Sequence, residues 1–209
     1  MTEVSDSVAQ IETQPPRRYR FVIASLVMAS HFSVGLNVFT ISPLLGDVIR
    51  DYEINRGAAG LLIGLALLVS AGSGLPGGIV VTRLGIKRSY NIGWGLIGLA
   101  ALSVLAPNYF SLLALRLSFG LGFALVLIAT GPLLLQWFRP KEVLVMNGLN
   151  TAVLSLGIAL SIATAAPLAG VIGWQGSLSF FGAVGMAGAA AWVVLGKVAA
   201  DGVQASGAN

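Results

Sequence analysis

Hydrophobic positions in this chain come in runs rather than in alternation. Six apolar segments cover 21–45, 57–81, 90–106, 110–136, 143–171 and 177–198. The polar breaks between them are short: "GDVIRDYEINR", "TRLGIKRS", "APNYF", "WFRPKE" and "GWQGS". A helix needs roughly 20 residues to cross a hydrocarbon core ~30 Å thick, so each run is about one crossing long, the third being the shortest. Helices satisfy their own backbone groups in lipid, and a barrel would need a period-two pattern that these runs lack. The predicted fold class is an all-α membrane protein with six transmembrane helices. They occupy 21–199, between a disordered N-terminus at 1–20 and a polar tail at 200–209.

Composition agrees with the pattern. Hydrophobic residues make up 56% of the chain and charged residues 10%, against ~25% charged in an ordinary soluble domain. A net charge of +4 invites a nucleic-acid reading. The cations stand at the ends of apolar runs, however, and that placement belongs to membrane topology, so no nucleic acid is expected. The chain has no cysteine, which excludes disulfides and thiolate metal sites. No metal or cofactor is expected. The first run lacks a small-residue cleavage site and reads as a retained span.

Lysine and arginine set the orientation. Arg17, Arg18, Arg20, Arg83, Lys87, Arg88, Arg139, Lys141 and Lys197 fall on the side of the N-terminus, and only Arg50 and Arg56 on the other. Nine against two places both termini in the cytoplasm, most simply of the plasma (inner) membrane. The twelfth cation, Arg116, lies inside the fourth run.

The 27 glycines fall at helical spacings, as in Gly60-xxx-Gly64 and Gly157-xxx-Ser161-xxx-Ala165-xxx-Ala169, with Gly182, Gly185 and Gly188 in the sixth run. Small residues so placed let helix backbones approach closely in lipid, either as tight packing or as sliding surfaces. A faint internal repeat accompanies them. Gly85 and Gly173 each precede a run, each with a serine four residues on, Ser89 and Ser177. Two such turns on opposite sides suit an inverted three-plus-three repeat.

Three motifs carry a resemblance. "GIVVTRLGIKR" is similar to the signature loop of the major facilitator superfamily, G-x-x-x-D-[RK]-x-G-[RK]-[RK], through Gly78, Arg83, Gly85 and Lys87, with Arg88 following. Thr82 replaces the acid and Ile86 the first of the two final basic residues. "LLALRLSFGLG" resembles the fourth-helix pattern L-x-x-x-R-x-x-x-G-x-G through Leu112, Arg116, Gly120 and Gly122. "PLAGVIGWQGSLSFFG" resembles the region that closes the fifth helix, with Gln175 for the usual arginine. The resemblance covers about 20–200, the N-terminal six-helix half of a usual member, and is nearest the cyanate-permease and nitrate/nitrite-type branch. It implies secondary transport by alternating access, with a gating loop at Gly78, Thr82, Arg83, Gly85, Lys87 and Arg88. It also implies a second six-helix half, from another copy or a separate chain, beside the lipid bilayer and a small solute. Because Thr82 brings no charge, a differently built latch is expected.

Candidate cavity residues are Arg116, His31, Asn37, Asn147, Asn150 and Thr151. An arginine at membrane depth costs at least ~2.5 kcal/mol and seeks a cavity or a partner. Two readings of Arg116 stand side by side: it meets an anionic substrate or couples gating, or it snorkels or bonds backbone carbonyls. His31, the only histidine, is either a proton site or a packed, hydrogen-bonded side chain. Asn147, Thr151 and Ser155 recur at four-residue steps and are expected to face protein or water. No carboxylate interrupts a span; Asp47 sits at the outer end of the first. No Walker A is present. The chain reads as a transporter of a small anion or organic acid rather than an enzyme. A non-transporting assembly partner is the alternative, with an intramembrane serine protease a distant third that lacks G-x-S-x-G.

Overall fold

A computed structural model describes residues 19–198. Arg17, Arg18 and the terminal segments lie outside the described residues. Within them the chain is helical: α1 (Tyr19–Val38), a 3-10 turn (Ser42–Leu44), α2 (Leu45–Tyr52), α3 (Arg56–Gly72), α4 (Gly74–Leu84), α5 (Ile86–Gly98), a 3-10 segment (Leu99–Leu105), α6 (Tyr109–Trp137) and α7 (Pro140–Leu195). Three helical segments are long and apolar enough to cross a membrane: Tyr19–Tyr52, Tyr109–Trp137 and Pro140–Leu195. The pair α3–α4, bent by 58°, makes up to four.

Local chemistry explains the ends and breaks. Asn55 caps α3 by accepting from the Ala58 amide (2.8 Å), and Asn108 with Ser111 forms a reciprocal capping box on α6. The α3–α4 bend falls at Ser73, between Gly72 and Gly74 and just ahead of Pro76. Pro76 has no amide hydrogen, and its ring crowds the carbonyl four residues back, that of Gly72. The two remaining breaks sit on glycines with almost the same backbone: Gly85 at φ 81, ψ 160 and Gly173 at φ 75, ψ 162. Those angles favour glycine. Gly173 divides α7 into arms 140–172 and 174–195. The Ser177 hydroxyl donates to the Ala165 carbonyl at 3.0 Å. Twelve residues of straight helix would span about 18 Å, so the arms fold back on each other.

Pairwise contacts give the direction of each long helix. Arg20 meets Glu142, and Gly35 packs on Leu154 and Gly157 at the same offset in sequence, so α1 runs parallel to the first arm of α7. Asn37 bonds Phe181, Ser33 faces Gly185 and Tyr19 bonds the Leu195 carbonyl, so α1 is antiparallel to the second arm. Trp94 against Gly188 and Ala101 against Gly182 make α5 and the 3-10 segment after it antiparallel to that arm. Gly93 beside Leu125 and Ile97 beside Gly122 make α5 antiparallel to α6, while Ala66 on Gly120 and Gly77 on Ile128 make α3–α4 parallel to α6. One end of the bundle therefore gathers Arg20, Arg83, Lys87, Arg88, Arg139, Lys141 and Lys197. The other holds Arg50 and Arg56 with Asp47, Asp51 and Glu53.

The sequence expectation needs adjustment in four places. Helix α1 begins at Tyr19 and stops at Val38, earlier than the run suggested, because Pro43 sits in the next turn and redirects the chain. Asp47 accordingly lies on the separate helix α2. The third run is α-helical only to Gly98 and then tightens to 3-10. Gly60 and Gly64 do not mediate close approach within this chain: a side chain there would meet nothing within 4 Å. Gly35, Gly120, Gly122, Gly157 and Gly182 do, each against backbone.

The core has two layers. One is built on Tyr90, Trp94 and Trp192, with Tyr90 and Trp192 ring centroids 4.4 Å apart. The other, toward the Gly173 end, gathers Leu36, Ile41, Leu44, Trp174 and Phe181.

Candidate substrate site and gating loop

Arg116 points into the bundle because Leu112, Arg116, Phe119 and Gly120 form one buried stripe of α6. It is 5% exposed. Its Nη1 donates to the main-chain oxygen of Asn37 at 2.8 Å, and no carboxylate lies within salt-bridge distance among the described residues. The partner is chemically apt. Asn37 is the next-to-last residue of α1, so its carbonyl is one of those a helix leaves without an intrahelical donor. It also sits at the negative end of the helix dipole. Arg116 thus caps α1 from the side.

The side chain of Asn37 serves a different purpose. Its amide donates to Ser33 O (2.8 Å) and to Phe181 O on the second arm of α7 (3.1 Å). Thr40 donates back to the Leu36 carbonyl. Ser33 Oγ, also buried, has no partner. Arg116, Asn37, Ser33 and Phe181 therefore join α6, α1 and α7 at one level of the bundle.

His31 lies six residues back along α1 and is 5% exposed. A carbonyl can only accept, so Nδ1 is the protonated nitrogen that donates to Val27 O at 2.9 Å. Ser30 Oγ donates to the same carbonyl (2.7 Å) and accepts from the Tyr90 hydroxyl at 2.6 Å. This layer of Ser30, His31 and Tyr90, roofed by Trp94 and Trp192, escaped the sequence reading except for the histidine. Its hydroxyls look like ordinary small or aromatic residues of apolar runs.

The stripe on the first arm of α7 divides. Asn147, Thr151 and Ser155 are exposed on this chain, and Thr151 bonds its own helix at Asn147 O (3.0 Å). Asn150 turns inward, is 3% exposed, and leaves Nδ2 without a partner.

In the loop between α4 and α5, Gly85 supplies the positive φ that ends one helix and starts the next. The Thr82 hydroxyl bonds the Ile79 carbonyl of its own helix (2.8 Å). Arg83, Lys87 and Arg88 are exposed and make no salt bridge among the described residues. Gly78 is open on its Cβ side. Arg116 and Asn37 lie toward the Gly173 end and this loop at the cationic end, so those two are well separated from it.

Two clasps were not anticipated. Trp174, just past Gly173, donates its indole N–H to Asp51 on α2 at 2.6 Å and lies edge-on to Tyr52. At the opposite end Glu142 bonds the Arg139 amide (2.9 Å) and Arg20 (3.3 Å).

A helical integral membrane protein with, among the described residues, one buried arginine that no acid meets is the class these features define. The sequence matches the family model of the Major Facilitator Superfamily over residues 27–208, and the chain belongs to that family of membrane transporters. It is also 25% identical over 166 residues to an uncharacterized protein of Campylobacter jejuni, a match covering 77% of this chain and 52% of that protein. The chain spans about half the length of that relative.

Proposed function

We propose that the chain forms a six-span half of a secondary-active transporter that carries a small anion or organic acid by alternating access. The observation that carries the anion reading is Arg116: a guanidinium buried between helices, held by one carbonyl and faced by no carboxylate among the described residues. A cation so placed keeps most of its charge available to an anionic solute. The cyanate-permease and nitrate/nitrite-type resemblance agrees with that chemistry.

The six-span reading takes α1, α3–α4, α5 with its 3-10 extension, α6 and the two arms of α7 as crossings. Their alternating directions support it, as does the clustering of described cations at one end, which in the positive-inside sense is cytoplasmic. The matched dihedrals of Gly85 and Gly173 support an inverted three-plus-three repeat. A second six-helix half, from another copy or another chain, covers the exposed positions Asn147, Thr151 and Ser155 of α7 and the open glycines Gly60 and Gly64 of α3. Polar side chains and bare glycines facing outward fit protein or water better than lipid.

The test is uptake by the full transporter in proteoliposomes, with nitrate, cyanate and short carboxylates as probes. Arg116→Ala is expected to abolish uptake while membrane insertion stays intact. Undiminished uptake by that variant would remove the binding role. Absence of any anion flux, with a stable partner co-purifying, would favour an assembly role instead.

A further inference from the structure

The geometry points to an organic acid with an apolar tail as the solute, its carboxylate on Arg116 and its tail in a groove between α3–α4 and α6. This rests on the transport reading above and names the class of anion that the same site takes. The groove follows from the bend. The pair α3–α4 touches α6 at two places, Ala66 on Gly120 and Gly77 on Ile128. Between them, where the pair bends by 58°, the helices leave a groove of about 480 Å³. Leu67, Ser70, Ala71 and Gly74 line one wall, Phe123 and Leu127 the other. Among the described residues no charged side chain lines it. A volume of that size is ordinary for a small-molecule site.

Register along α6 ties the groove to Arg116. Phe123 and Leu127 follow Arg116 by seven and eleven residues. On a regular helix both then fall within about 20° of it around the axis, and roughly 10 and 16 Å further toward the cationic end. The buried guanidinium and the apolar walls therefore share one side of α6. Leu127 is 52% exposed, so that side is open on this chain. A carrier holds its solute where its two halves face each other. A solute lying along this side of α6 meets a cation at one end and hydrocarbon at the other.

The groove separates the classes of anion that Arg116 alone would accept. A bare inorganic ion against apolar walls loses hydration and gains no partner. Each methylene that leaves water for those walls instead tightens binding about fourfold. Three or four methylenes in the groove therefore favour a tailed carboxylate on the order of 100-fold over an untailed one. A second carboxylate at the far end of the tail would be desolvated there without a partner, so a diacid of the same length loses the advantage.

The experiment is calorimetric binding to the full transporter in nanodiscs, with empty nanodiscs as the blank and nitrate, acetate, decanoate and decanedioate as probes. The wild type is expected to bind decanoate on the order of 100-fold more tightly than acetate, with nitrate and decanedioate close to acetate. Ala71→Phe and Gly74→Leu fill the groove from exposed positions. Each is expected to cut the decanoate-to-acetate ratio below about tenfold, as fewer methylenes find room. Gly60→Ala, outside the groove and with open space around it, is expected to keep the ratio. Arg116→Ala is expected to lose acetate and decanoate alike. Decanoate binding that survives Arg116→Ala marks the groove as a lipid site and overturns the assignment. A wild-type ratio near one, as when a helix of the second half fills the groove, overturns it and leaves the anion reading standing. So does a wild-type ratio kept by whichever filled variants fold. Failure of the wild type to bind any of the four probes instead sinks the anion reading itself.

Discussion

Adding one methyl group at Gly35 is expected to split the bundle where α1 meets the first arm of α7. A Cβ built there lies 2.1 Å from the Leu154 oxygen and 3.1 Å from the Gly157 Cα, where ordinary contact begins at 3.4 Å. The obstacle is main chain on a helix, so no side-chain rotation relieves it, and the two helices must separate by about 1 Å. A gap of ~0.5–1 Å forfeits a quarter to a half of the dispersion energy of each facing atom pair. Overpacking of this kind costs ~1–3 kcal/mol, and the backbone contact puts Gly35→Ala near the upper end, at ~2–3 kcal/mol. The control is Gly60→Ala. Nothing lies within 4 Å of that position, so helix propensity alone predicts a gain of up to ~1 kcal/mol. The assay is equilibrium unfolding in mixed micelles by graded SDS, followed by circular dichroism and tryptophan emission. Gly35→Ala unfolding at the wild-type midpoint, or Gly60→Ala losing as much as Gly35→Ala, would refute the argument.

Three further outcomes can be read by the same unfolding assay. Ser177→Ala removes the bond to Ala165 O and is expected to cost ~1 kcal/mol, whereas Ser89→Ala deletes a buried hydroxyl that has no partner and is expected to be neutral or stabilising. Trp174→Phe keeps the ring against Tyr52 but loses the donor to the Asp51 carboxylate, a bond to a charged group whose loss is expected to cost ~1.5–3 kcal/mol, toward the lower figure because it is half-exposed. The Arg139 amide first, and then the charges of Arg20 and Arg139, hold the Glu142 carboxyl below the usual range. A depressed carboxylate contributes stability above its unfolded value and loses it as pH falls through the folded one. Unfolding midpoints measured from pH 6 down to pH 3 are therefore expected to fall less steeply in Glu142→Gln than in the wild type.

The helices were legible because apolar runs leave little else for a chain to do in lipid. The run at 110–136 falls within α6, Tyr109–Trp137. Breaks inside runs were harder to see. Pro76 bends the second run without interrupting its hydrophobicity, and Pro43 redirects the chain while the sequence around it remains apolar. The gap "GWQGS" begins at Gly173, where the helix breaks, and its two glycines and polar Gln175 and Ser177 are what set it apart from the runs on either side. Arg116 and His31 stood out as polar atoms at depth, but their partners did not. Asn37 O and Val27 O are peptide carbonyls, which every residue carries, so no residue type signals them. Thr82 shows the same limit: the missing acid was visible, while its bond to Ile79 O required coordinates.

The capping of α1 by Arg116 has one further consequence. A guanidinium offers five N–H donors in a planar fork, and a single nitrogen of this one is committed, to Asn37 O. Under the proposed anion reading, an arriving anion would take the remaining edge of the fork while that carbonyl stays bound. Docking and unfastening of the helix end would then be separate events, and a lysine at this position, with its rounder and more tightly hydrated ammonium, would force them to compete.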